Sequence, residues 1–225
     1  MTILTVLGLM IFISLGMWQL ERADFKEAVR LKYQTRLAAD YQTFDTGRAL
    51  DDIEYQKLIL HGQYDTSRSL LLDNQVLKGR AGYQVLSPFI LSGSHQIVLV
   101  NRGWVALGES RETLPSIKDP AVIDRITGIA SVPNTDGFRL GKVSLQDSWP
   151  QLIPFIDIDA MQPQFGNRLL PVVLWLAPEQ AGFYQRHWEP TWADPDKSRA
   201  YAVQWFCFAF IAFVLYVVLN LRKLQ

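Results

Sequence analysis

Two uncharged apolar runs, near either end of the chain, constrain its fold more than anything between them. Thr2 to Leu20, TILTVLGLMIFISLGMWQL, carries no charge over 19 residues, and Ala200 to Leu221 carries none over 22. A helix needs ~20 apolar residues to cross the hydrocarbon of a bilayer. Residues 2–20 and 200–221 are therefore predicted to be transmembrane helices, with residues 21–199 forming an extracytoplasmic domain between them. A cleaved signal peptide is the competing reading of the first run. That run ends on the bulky Trp18, where cleavage needs small residues. Arg222 and Lys223 follow the second run, so the positive-inside rule puts both termini in the cytoplasm and the central domain in the periplasm. Arg22, Lys26, Lys197 and Arg199 flank the outer side, which a long translocated domain tolerates.

Charge and cysteine usage narrow the functional classes. The chain has 225 residues and a formal net charge of +0, with no long run of either sign, so it lacks the basic stripe that nucleic-acid binding requires. Its single cysteine, Cys207, lies inside the second apolar run, which excludes an internal disulfide or a Cys-x-x-Cys site. Copper delivery is disfavoured for the same reason, since soft Cu(I) prefers clusters of thiolates or thioethers.

Between the spans the periodicity changes. Glu21 to about Leu37 is rich in helix formers without Gly or Pro, so the first helix is expected to continue into water. Period-two apolar patches follow in QKLILHGQY, SLLLDNQVL, GYQVLSPFIL, HQIVLVNRGWV and RITGIASV, and they predict an antiparallel sheet or small barrel. SGSH at Ser92 to His95 reads as a hairpin turn. QLIPFIDID and RLLPVVLWLA read as further strands, with Pro154 and Pro171 marking edges or strand ends. The expected fold class is thus a membrane protein with two helices flanking a β-rich, α+β extracytoplasmic domain.

Catalytic signals are weak. GFRLGKV at Gly137 to Val143 is one residue short of a phosphate loop and has Val143 where a hydroxyl is needed. Asp157 and Asp159 would share one strand face, a spacing that more often marks a solvated face than an acid/base pair. His61, His95 and His187 are isolated from each other in sequence.

Polar chemistry gathers at the mouths of the spans. Trp18, Gln19 and Arg22 lie within one helical turn at the exit of the first. On the second, Ser198, Tyr201 and Trp205 share a face with Gln204 beside it. An aromatic belt with snorkelling cations accounts for such residues; so does a small intramembrane site in which Gln19 and Gln204 satisfy each other and Trp18 neighbours Trp205.

GMWQLERADFK from Gly16, VLVNRGWV from Val98 and YAVQWF from Tyr201 to Phe206 resemble the three signature motifs of the surfeit locus protein 1 family, in the same order. LLLDNQVLKGRAGYQVLSPF and LPVVLWLAP are similar to its intervening segments, so the likeness spans nearly the whole chain. The resemblance implies an assembly factor for a heme-copper cytochrome c oxidase in the bacterial inner membrane. Its partner would be the oxidase catalytic subunit or an assembly intermediate, and its candidate cofactor heme a. It also marks Gly16, Gln19, Asn101, Arg102, Gly103, Trp104, Gln204 and Phe206 as motif residues, and Trp18, Arg22, Tyr201 and Trp205 as a heme environment. The family's last motif usually opens with a histidine, a proposed axial ligand, where this chain has Ser198. Serine does not replace imidazole on iron. His187 is the nearest substitute before the second span. Asp194 and Pro195 read independently as an N-cap and first helical residue, which makes Ser198 an ordinary residue of the first turns. A non-enzymatic assembly factor is the leading class; a permanent oxidase subunit and a membrane-tethered periplasmic enzyme are the alternatives.

Overall fold

The computed structural model describes residues 2–46, 52–108, 113–120, 122–133, 143, 145–146, 148–180, 184–186 and 194–221. It divides into two compact units, one comprising Met1–Thr35 with Glu189–Gln225 and the other Arg36–Trp188. The expected cytoplasmic anchors Arg222 and Lys223, His187, and all of GFRLGKV except Val143 lie outside the described residues.

The first unit is a pair of helices. Helix α1 runs without interruption over Thr2–Ala38 and α3 over Pro195–Leu221. At 37 residues α1 is about 55 Å long, so its charged second half extends well past one apolar thickness. Both are long and apolar enough to cross a membrane, and few of their apolar residues are buried against protein. Ile3, Leu4, Val203 and Phe210 are among the outward-facing side chains, the arrangement expected where lipid is the solvent. Inward positions recur alternately at four and three residues: Phe12, Gly16, Gln19, Ala23 and Lys26 on α1, and Ser198, Ala202, Trp205, Ala209 and Ala212 on α3. This is the heptad spacing of a two-helix seam, with small residues letting the backbones approach.

The second unit is a closed barrel with additions. Its strands are β1 (Gln42–Thr43), β2 (Lys57–Tyr64), β3 (Leu70–Leu77), β4 (Arg80–Leu91), β5 (Ile97–Ala106), β6 (Arg125–Ser131), β7 (Gln151–Ile153) and β8 (Leu169–Leu176). The order is β1-β2-β6-β8-β5-β4-β3-β7, and β4 also pairs back onto β2, so β2, β6, β8, β5 and β4 form a ring. Closure removes free sheet edges from those five strands. Alternate residues such as Leu58 and Leu60, Val98 and Val100, and Val172 and Leu174 fill one core. The other face of β5 is covered too, because Ile97 and Leu99 pack with Ile158, Met161 and Phe165. That double burial explains why β5 reads as a nearly unbroken apolar run.

The predicted strands and the Ser92–His95 turn are present, with Gly93 at φ 85° and His95 at φ 57° closing the β4–β5 hairpin. QLIPFIDID departs from expectation. Only Gln151–Ile153 is strand, and Asp157 caps the short helix α2 (Ile158–Met161) by accepting the Ala160 N–H at 3.1 Å. Asp157 and Asp159 therefore share no strand face; a cap-forming Asp before an apolar turn outcompetes the alternation. Pro171 lies inside a ring strand, not at an edge. It falls where the β5–β8 register slips between Leu169 and Val173, and beyond the last β6 partner, Ser131 opposite Val173, so no ladder bond is lost.

Candidate functional site

Within the helix pair, polar contacts concentrate at the end where α1 leaves its apolar half. Lys26 Nζ donates to Ser198 Oγ and to the Asp194 carbonyl, each at 3.0 Å. Asp194 Oδ1 in turn accepts the Asp196 N–H at 3.1 Å, the N-cap expected before Pro195. Ser198 is only 3% exposed, and Ala23 and Ala202 are fully buried in the same seam. Around this clasp Arg30 bonds Glu27 at 2.6 Å, and Arg199 reaches Asp196 at 3.1 Å and Glu27 at 3.9 Å.

One turn towards the apolar half, Arg22 lies over the Trp18 ring at 5.5 Å. Both residues face outward, as does Tyr201, so three of the residues expected to surround heme line no common pocket wall in the seam. Trp205 belongs to the seam, stacked on Phe12 with 6.0 Å between centroids and edge-on to Phe208 at 5.8 Å. Trp18 faces outward and makes no ring contact with Trp205. Gln204 is exposed and makes no hydrogen bond to Gln19, because the seam passes through positions 202, 205 and 209 and leaves position 204 outside. Gly16 has no room for a side chain: a Cβ there would lie 2.5 Å from the Phe206 ring.

These residues do not fit an iron-ligated heme at position 198. The side chain there is a buried hydroxyl already bonded to Lys26, and the neighbouring seam is filled. Nothing on that face is free to ligate iron, which takes His, Cys, Met or Tyr. Among the described residues no three His, Cys, Asp or Glu are grouped to hold a metal ion.

In the barrel, the motif Asn101-Arg102-Gly103-Trp104 is built around a β-bulge. Leu86 pairs with Asn101 and Val85 with Gly103, so Arg102 is the extra residue on β5. Gly103 has φ 118°, outside the range of L side chains. Its N–H is held by Asn101 Oδ1 at 2.9 Å. Trp104 continues the strand, donating its backbone N–H to the Gln185 carbonyl at 2.7 Å and its Nε1 to the Gln75 carbonyl at 3.0 Å.

The bulge turns Arg102 into the protein, where it is 3% exposed. Its guanidinium donates to Ser87 Oγ at 3.3 Å and to the Lys118 carbonyl at 2.8 Å. It lies over the rings of Tyr184 at 5.2 Å and Tyr64 at 5.9 Å. Tyr184 is itself fixed, its hydroxyl accepting the Lys118 N–H at 2.8 Å. Burial lowers the pKa of Arg102 and, in the same direction, that of Arg186 nearby. Burial also pushes Tyr64 up to about 12. Sequence reasoning marked the motif but missed its supports, Tyr64, Tyr184 and Arg186. Gln84 had a signal, as a polar residue inside an apolar strand.

A membrane-anchored protein with a closed five-stranded barrel and an architectural, guanidinium-centred motif is the class these features define. The chain belongs to the SURF1 family, whose sequence profile matches residues 6–210. It is 30% identical over 111 residues to a Saccharomyces cerevisiae protein named cytochrome oxidase assembly protein SHY1, covering 45% of this chain and 28% of that one. A SURF1-like protein of Rickettsia felis is 29% identical over 96 residues, 42% of this chain and 41% of the relative. An uncharacterized SURF1-like protein of Mycobacterium bovis is 25% identical over 161 residues, 72% and 58% of the two chains. These matches span between about a quarter and three-fifths of the relatives' lengths.

Proposed function

We propose that this protein is a non-enzymatic assembly factor for a cytochrome c oxidase, working from the bacterial inner membrane on the catalytic subunit or an intermediate that contains it. The observation that carries the reading is the family match over residues 6–210, together with a relative named as an oxidase assembly protein. The structural features agree with it. The NRGW motif is spent on shaping a bulge, which is the work of a scaffold, and the outward apolar faces of both helices are surfaces for lipid or for partner helices.

Both termini are cytoplasmic in this reading and the barrel is periplasmic. Reporter fusions at Gly108 and after Gln225 check it: a reporter active only in the cytoplasm should fail at Gly108 and work after Gln225.

Heme a, if handled, is not ligated through residue 198. The Lys26–Ser198 contact supports this, since imidazole installed there must displace the lysine and part the seam. Protein purified from cells that make heme a should carry no stoichiometric low-spin heme, and Ser198→His should not restore it. Stoichiometric heme lost on His187→Ala would overturn this point and make His187 the ligand.

The functional test is genetic and spectroscopic. Deleting the gene should lower the oxidase heme a signal in reduced-minus-oxidised membrane spectra, and the wild-type chain should restore it. Unchanged oxidase content would refute the assembly role. Stoichiometric retention in mature oxidase would make the chain a permanent subunit instead.

A further inference from the structure

A cavity of about 70 Å³ beside Asn101 is chemically unfinished. Ile129, Trp175 and Leu176 give it apolar walls, and Gln84, Asn101 and Arg186 also line it. Its shape is set by strand register, because Ile129 pairs with Trp175 across β6 and β8, and Trp175 with Asn101 across β8 and β5. Three of its polar atoms are buried without a hydrogen-bond partner: Asn101 Nδ2, Gln84 Oε1 and Arg186 Nε. Asn101 and Gln84 are 2% and 7% exposed, so bulk water does not serve them. A buried polar group left unpaired costs about 1–3 kcal/mol.

The orientations are constrained. Asn101 Oδ1 is committed to the Gly103 N–H, so the amide N–H groups are what Asn101 has left to offer. Arg186 Nη1 is committed to the carbonyls of Ala177, Pro178 and Gln180, and Nε–H is the donor of that guanidinium buried without a partner. Gln84 makes no hydrogen bond, so turning its amide over to present N–H breaks nothing. Neither Arg186 nor Arg102 forms an ion pair with any described carboxylate, and a guanidinium does not shed its proton. The carboxylate whose charge reaches Arg186, Glu179, accepts from the Tyr41 hydroxyl and does not line the cavity, so what the lining itself lacks is an anionic acceptor. One lining cation matches a monoanion better than a doubly charged phosphate, and the apolar walls favour a hydrocarbon stem.

We propose that this cavity binds a monovalent carboxylate carried on an apolar stem, held by Arg186 Nε–H, Asn101 Nδ2–H and the Gln84 amide. The rival occupant is water, of which a space this size takes about two molecules at ~30 Å³ each.

The test uses the full chain in detergent micelles with 15N-labelled Arg, Asn and Gln side chains. Sodium butyrate is titrated at constant ionic strength against formate, chloride and inorganic phosphate. Saturable shifts of the Arg186 Nε–H and Asn101 Nδ2 resonances are expected with butyrate, with weaker binding of formate. Asn101→Asp keeps the acceptor for Gly103 but puts a resident negative charge in the cavity, and should weaken butyrate at least tenfold. Gln84→Glu should do the same without removing any hydrogen bond, which keeps the test available if Asn101→Asp does not fold. A short apolar peptide with a free C-terminus, compared with its amide, identifies the source: shifts with the free terminus point to a polypeptide end, shifts with butyrate alone to a free acid. Absence of saturation, an equal response to chloride or phosphate, or water contacts to these N–H groups that survive saturating butyrate would overturn the proposal. None of these readouts depends on oxidase assembly.

Discussion

The barrel and the helix pair both bring backbone close to a neighbour at a glycine, but the neighbour differs. At Gly103 a Cβ would meet the Gln185 carbonyl oxygen at 2.8 Å and Tyr184 Cβ at 2.9 Å, on a backbone already at φ 118°. At Gly16 it would meet the ring of Phe206, the far end of a rotatable side chain. The first contact is locked by strand register and by two backbone hydrogen bonds between Trp104 and Gln185. The second can yield by one rotamer change. The barrel is thus a unit that fails locally and abruptly, whereas the seam of the helix pair can be loosened by degrees.

The largest expected effect breaks the barrel alone. Gly103→Ala combines strain at a φ that Ala avoids with a backbone clash, and should cost about 3 kcal/mol or more. Hydrogen exchange of the β4 and β5 amides reads it out, and α1 and α3 should keep their protection. Gly16→Ala should cost about 1 kcal/mol and leave the barrel amides untouched. Equal effects of the two substitutions would erase the distinction between the units.

Next in size is Arg102→Met. It keeps much of the side-chain volume but removes the guanidinium hydrogen bond to the Lys118 carbonyl and the cation that lies over two tyrosine rings. About 2–3 kcal/mol should be lost from the barrel. Arg102→Lys should recover little of it, because an ammonium lacks the planar fork that serves Ser87 and Lys118 together. Full recovery by lysine would show that charge alone matters there.

In the helix pair the corresponding polar contact is worth less. Lys26→Met removes two hydrogen bonds near the membrane surface and should cost about 1 kcal/mol, with Ser198→Ala costing less. In a Cys207→Ser background, Gly16→Cys with Phe206→Cys should cross-link readily and Gln19→Cys with Gln204→Cys poorly. The reverse pattern would shift the seam by part of a turn and restore the amide pair that the sequence invites.

How far the sequence discloses all this differs between the units as well. The two spans, the helical extension of α1 and most strands follow from charge-free length and period-two patterning. The seam register was not legible, because Gln204 and Trp205 both sit at an interfacial mouth and either can be rotated inward by a small turn of the helix. In the barrel, VLVNRGWV announces a strand but not the bulge at Arg102, since nothing in its alternation shows that one residue is surplus. Ring closure depends on Gly62 to Tyr64 pairing with Phe89 to Leu91, a contact between segments whose patterns are equally satisfied by an open sheet. The cap at Asp157 was hidden because a short apolar run has the same composition in a strand as in one turn of helix. Tyr184 to Arg186 carry no signal at all: they matter only because the fold lays Gln185 beside Trp104.

The smallest expected effect concerns Tyr64, where the barrel's rigidity works against one of its own atoms. The Tyr64 hydroxyl is buried without a hydrogen-bond partner, while its ring packs edge-on to Phe89 at 5.0 Å and under Arg102. Tyr64→Phe keeps both ring contacts and deletes the orphaned oxygen, so it should be neutral or stabilising by up to about 1 kcal/mol. The pH dependence has a definite sign. Burial raises the tyrosine from an ordinary value of 10.0 to about 12, opposed by the charges of Arg102 and Arg186, so the folded state favours the protonated form. That contribution is fully present below the unfolded value and is lost as pH rises through the folded one. Wild-type barrel stability should therefore fall more steeply between the two values than that of Tyr64→Phe. Parallel curves for the two proteins across that window would mean that the phenol finds water or a partner when it ionises, and that this end of the barrel opens more easily than the bulge at Gly103 implies.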